Sequence, residues 1–224
     1  MFTVSNAWKT AYPQAHAGIL VMRDVVNPSQ HTELEARKQR LQDDLRSRFA
    51  GQDRNAIAVL PPIQAYNAYY KPFKKSYHVQ LQLESIALKG KSLPSVATLV
   101  EAMFMAEIKN LLLTAGHDLD VLQLPVTLDV STGQEQYTLL RGTEQVTKSG
   151  DMFMADETGI ISSILYGPDQ RTQITEKTCN VLFAVYTPEG ISAEETQQHL
   201  EDIRENVLLV SPAARLELLK VFGA

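Results

Sequence analysis

The sequence predicts an α+β domain, with a mixed, mostly antiparallel central sheet and helices packed on it. Three observations carry that expectation. Asp151–Glu189 holds three short apolar runs separated by Gly, Pro and Asp, the punctuation of a sheet core. The segments ending at Phe49 and running from Leu99 to Leu113 carry apolar residues at helical spacing. No repeat or linker-like stretch divides the 224 residues, so a single domain over 1–224 is expected, built from two closely joined lobes.

In chain order, Ala17–Val26 reads as a first strand with Gly18–Met22 as its buried part. Asn27-Pro28-Ser29 offers helix-start chemistry, and the helix continues to Phe49 with Leu34, Leu41, Leu45 and Phe49 on one face. Its other face, Lys38 and Arg40 included, mixes charges as a solvated surface does. Asn55–Leu60 reads as a short strand or buried segment broken at Pro61-Pro62. Val79–Leu88 fits strand alternation in part, but Glu84 falls on a polar helical face and Gly90 and Pro94 follow, so helix is preferred. Leu99–Leu113 is a buried helix running into Thr114–Asp120. Pro125–Val130 and Gln136–Leu140 read as strands paired around a turn at Gly133. Met152–Ala155, Ile160–Leu165 and Thr178–Tyr186 are the three central strands. Ser192-Ala193-Glu194-Glu195 starts a helix continued by Leu200, Ile203 and Val207, and Pro212–Phe222 is read as a final short helix.

Composition narrows the chemistry. A net charge of -5 argues against broad electrostatic binding to nucleic acid but leaves room for a local basic face. No apolar run has membrane-spanning length and the N-terminus lacks a secretory pattern, so a cytoplasmic protein without a membrane partner is expected. The lone Cys179 excludes an internal disulfide and a thiolate metal cluster, and beside an apolar run it reads as a small buried hydrophobe. Phosphate loops, nucleophile elbows and diagnostic histidine spacings are absent, so neither a metal nor an organic cofactor is expected.

Two polar stretches remain. Tyr66–Tyr77 is the most basic and aromatic part of the chain. Tyr70, Lys71, Lys74 and Lys75 have the chemistry to stack single-stranded bases and neutralise phosphates. Equally, the tyrosines can pack their rings in the core. His117-Asp118-Leu119-Asp120 follows a glycine after a buried helix, a place that can aim an imidazole into a cleft or simply tie a loop.

The order of these segments resembles the B3/B4 tRNA-binding and editing module in the beta subunit of bacterial phenylalanyl-tRNA synthetase, here read as a free-standing protein. The likeness rests on the Leu99–Leu113 helix with its Gly116–Asp120 turn, on Arg141-Gly142 ahead of Ala155-Asp156-Glu157-Thr158-Gly159, and on Thr175–Leu182. It is best over residues 66–186. That module hydrolyses tyrosine wrongly attached to the phenylalanine tRNA. The resemblance therefore implies a B3/B4-like fold and a tRNA-binding, editing-like function, with the aminoacyl-tRNA end as partner rather than DNA. It implies that His117 orients water or the terminal ribose, in a pocket including Asp118, Asp120, Tyr166, Gly167, Thr175, Asn180 and Ala184. The family's glycine-rich segment falls on Ile164–Gly167, keeping only Gly167, and its glutamate falls on Ala184. A methyl group cannot recognise a tyrosine hydroxyl, so tyrosine specificity is not implied. The alternative is a non-catalytic domain that reuses this fold to bind a small molecule or a protein.

Overall fold

In the computed structural model, which describes residues 2–223, the buried apolar runs become two sheets stacked face to face. The elements are β1 (Phe2–Val4), α1 (Asn6–Ala11), β2 (His16–Arg23), α2 (Thr32–Arg48), α3 (Arg54–Ala58), α4 (Pro61–Tyr70), α5 (His78–Ala87), α6 (Thr98–Asn110), β3 (Thr114–Asp118), β4 (Val126–Val130), β5 (Gln136–Thr138), β6 (Glu144–Val146), β7 (Met152–Asp156), β8 (Gly159–Ser163), β9 (Gly167–Pro168), β10 (Val181–Thr187), α7 (Ala193–Val210) and β11 (Arg215–Gly223). One sheet has the order β11-β2-β10-β3 and is antiparallel throughout. The other, β1-β4-β7-β8-β9, is antiparallel except for the β1–β4 pair, and β5–β6 form a separate hairpin. The fold is thus α+β, with mostly antiparallel sheets flanked by helices.

Strand alternation assigns the two faces of the four-stranded sheet. Gly18 on β2 faces α7, where an added Cβ would lie 2.9 Å from Thr196 Cγ2 and 3.1 Å from Leu200 Cδ1. Gly116 on β3 shares that helical side, facing Met103 of α6. The opposite face meets the five-stranded sheet, where Tyr186 of β10 and Ser162 of β8 are hydrogen-bonded at 2.5 Å. β10 is buried along its whole length because it lies between these layers, which explains its unbroken apolar run. Trp8 of α1 closes one side of the sheets, donating its indole N–H to Met152 Sδ at 3.0 Å.

Helix ends follow local chemistry with one exchange. Ser192 and Glu195 form a reciprocal capping box on α7. Asn27, expected to start α2, instead caps α6: its Oδ1 accepts from Leu99 N–H at 2.9 Å. α2 starts later, at Thr32. Lys38 is no surface residue; it is 4% exposed and bonds Glu101 at 2.9 Å. Asn55–Leu60 is not a strand, because Asp53 accepts from Asn55 and Ala56 N–H and nucleates α3.

Three further expectations give way to tertiary pairing. Pro212–Phe222 forms no helix: β2 offers an open edge, and β11 fills it from Arg215 to Gly223. The strand at Val126–Val130 pairs with β1 and β7 rather than with Gln136–Thr138, which takes β6. Gly116–Asp120, read as a turn, lies in part in a strand, because Thr114–Asp118 pairs with β10. Cys179 is exposed, since it precedes β10 instead of joining it. β1 and α1 carried too short a pattern to be read in advance.

Candidate functional site

A cleft of about 480 Å³ opens where α5 and α6 face β3 and the β8–β9 connection. Its inner wall is apolar, from Met103, Phe104, Leu113, Ile164, Leu165 and Ile174. Gly116 contributes a wall without a side chain: an added Cβ would meet Ile174 Cδ1 at 2.7 Å. The polar groups are few, namely His78, Gln82, Glu107, Thr114 and Gln173. A concave apolar site with a small number of placed polar groups is the usual form of a ligand pocket.

Glu107 is the unusual member. It lies on the otherwise apolar face that α6 turns inward, and only 2% of it is exposed. Its Oε2 accepts from Thr114 N–H at 3.0 Å, and among the described residues no cation pairs with it. Burial pushes its pKa up to about 8, opposed in part by the Thr114 N–H. Glu101, equally buried one and a half turns earlier, is matched by Lys38 and shows no such isolation.

Charge of the other sign gathers at the mouth. Tyr166 and Leu165 are shared with an adjoining groove that also contains Lys75 and Arg141. Lys75 Nζ lies 4.0 Å from the Tyr166 ring centroid. Burial, then Lys148 and Arg141 nearby, lower the Lys75 pKa. Lys148 donates to the Phe73 carbonyl at 2.6 Å, and Arg141 to Thr143 Oγ1 at 2.9 Å.

Of the residues singled out in the sequence, Tyr166 and Gly167 line this cleft. Lys75 sits at its mouth, and the others lie elsewhere. His117 is fully enclosed on the far face of β3, between the sheets. Its Nδ1 is 2.7 Å from Thr172 Oγ1, whose own O–H donates to Asp169, so Nδ1 carries the proton. Burial first, and Arg171 second, lower its pKa to about 3. This imidazole is a neutral tie and does not open on the cleft. Ala184 points with Tyr186 into the same interior layer.

Asp118, Asp120, Thr175 and Asn180 form a stitched loop at the end of β3 and β10. Thr178 Oγ1 donates to Asp118 at 2.6 Å and accepts from Thr175 N–H at 2.9 Å. Asn180 Nδ2 donates to both carboxylate oxygens of Asp120, at 2.8 and 2.9 Å. Tyr70 is not available to stack on a base: it is 2% exposed and donates to the Ile164 carbonyl at 2.6 Å. Lys71 and Lys74 are exposed around the turn after α4, leading to Lys75. Sequence reasoning missed Glu107 and Gln82, and named Arg141 only as part of the family likeness. The one legible signal was a carboxylate on the apolar face of a buried helix.

With the geometry in place, comparison with known proteins adds the ancestry. Residues 65–207, which run from within α4 to within α7 and take in both cleft walls, match the B3/4 domain. The chain belongs to the B3/4 domain family. Its fold is similar to that of an N-terminal fragment of the phenylalanyl-tRNA synthetase beta-subunit from Pyrococcus horikoshii, with a TM-score of 0.51 at 10% identity. That superposition covers 100% of this chain and 54% of the other, so this B3/4 protein spans about half the length of that fragment. No curated protein matches the sequence.

Proposed function

We propose that this B3/4 protein binds the aminoacylated 3′ end of a tRNA, with the amino acid in the cleft and the terminal phosphates at its mouth. The observation that carries the reading is the polarity gradient of the site: an apolar inner wall, then Tyr166, then Lys75, Arg141 and Lys148. An aminoacyl-nucleotide end has the same order, from side chain to base to phosphate. The base has Tyr166 as a stacking surface, in place of the buried Tyr70. Family membership supports an RNA partner, and the cytoplasm is where such a ligand would be met.

Fluorescence anisotropy with a labelled acceptor-stem minihelix tests it. Three phosphate contacts predict an affinity loss of roughly 20- to 40-fold between 50 and 200 mM salt. Lys75→Ala and Arg141→Ala should each weaken binding and flatten the salt dependence. Salt-independent or undetectable binding overturns the reading. Deacylation of a panel of mischarged tRNAs then separates the two forms of this function. Turnover of one ester above background, slowed by Glu107→Gln, assigns editing in trans; binding without turnover assigns a binding module. The competing reading, a pocket for a free small molecule, draws on the apolar lining and the net charge of -5.

A further inference from the structure

We infer that the cleft selects ligands bearing a cationic amine, and that the ammonium group pairs with the Glu107 carboxylate. The inference rests on the reading of the cleft as the ligand site and names the chemistry of the contact at its acid.

Three observations converge on it. First, the carboxyl lines the cleft, yet among the described residues its only hydrogen bond is the Thr114 N–H on Oε2. Second, none of the described residues supplies it with a countercharge. The titratable groups around it are the phenols of Tyr66, Tyr70 and Tyr77, from α4 and the turn before α5, with His78 on α5 and His199 on α7. Burial raises the pKa of all three phenols, so they are neutral. His199, held to Thr114 Oγ1 at 2.7 Å, has its pKa lowered to about 3 by burial. His78 is exposed at the rim, while packing of its ring lowers its pKa. Third, the surrounding wall is apolar, which makes an unpaired carboxylate costly and a paired one strong. The buried acid on the same helix, Glu101, receives its cation from Lys38 at 2.9 Å. At Glu107 that place is open to a ligand.

The sign of the pH response follows. Glu107 is protonated below about pH 8 and must lose its proton to receive an ammonium. Binding therefore releases a proton and tightens as pH rises. For an alkylamine that stays charged, affinity should improve by about 20-fold from pH 6.5 to 8.5. A protonated acid donating to a ligand carbonyl would give the opposite trend.

Isothermal titration of the full chain with 2-phenylethylamine and with its neutral N-acetyl derivative is the direct test, in two buffers of different ionisation enthalpy. The expected result is preference for the amine, release of close to one proton at pH 6.5, and loss of both in Glu107→Gln. Equal binding of the neutral amide, or weaker amine binding at higher pH, overturns the inference even if the variant fails to fold, because both are read on the unaltered protein. Aminoacylated and N-acetyl-aminoacylated minihelices separate the two levels of the argument. If both bind alike, the ammonium contact falls and the RNA reading stands. If the amine binds and neither minihelix does, the contact stands and the RNA reading falls; if nothing binds, both fall.

Discussion

Glu107→Gln should make this protein more stable, and the gain should grow with pH. The side chain is buried at the cleft wall, accepts one backbone N–H and faces no cation among the described residues. Its folded-state pKa of about 8 lies above the ordinary value of 4.5, so the folded state prefers the protonated acid. Below pH 4.5 the group is protonated in both states and costs nothing. As pH rises the unfolded chain ionises first, and the native state loses ground until pH 8 is passed. Linkage over that interval amounts to about 5 kcal/mol above pH 8 and about 3 kcal/mol at pH 7, both upper bounds. Glutamine keeps an oxygen for Thr114 N–H and removes the titration. Urea unfolding of both proteins at pH 5, 7 and 9 should show a difference of no more than about 0.8 kcal/mol at the first. The variant should lead by at least about 1.5 kcal/mol at pH 7, with a further increase at pH 9. A variant less stable than the parent at pH 9, or a difference that ignores pH, would refute the reasoning. A stabilising loss of a site residue is the expected mark of a group kept for binding.

Other perturbations have definite outcomes. Lys38→Met strands the Glu101 carboxylate and should cost about 3–5 kcal/mol in denaturant unfolding, while a Lys38→Met, Glu101→Leu double substitution should recover most of it. His117→Ala should lower stability by about 1–3 kcal/mol through the lost tie to Thr172, yet leave minihelix affinity unchanged, because the imidazole does not reach the cleft. Gly18→Ala drives a methyl group to 2.9 Å from Thr196 and should cost about 1–3 kcal/mol by overpacking, read as a lowered thermal midpoint. Lys75→Ala should reduce the logarithmic salt slope of RNA binding by about 0.7–1.

Elements whose signal is local were legible in the sequence. The helix start at Ser192–Glu195, the apolar face of α6 and the unbroken run of β10 each encode their own conformation; all three formed, β10 beginning at Val181 rather than Thr178. The order of segments was enough to point to the B3/4 family. What tertiary structure decided was partnership. Arg215–Gly223 has a pattern that suits helix or strand, and only the open edge of β2 makes it a strand. Asn27 has capping chemistry, but which helix receives it depends on a contact across 72 positions of sequence. The site followed the same rule. Tyr166 and Gly167 reached the cleft, whereas His117 did not, because strand alternation turned it to the face away from Gly116. Glu107 and Glu101 look alike along the chain, two acids buried on one helix. The fold brings Lys38 to one and leaves the other facing a cavity, so only the folded structure distinguishes a structural ion pair from a vacancy for a ligand's charge.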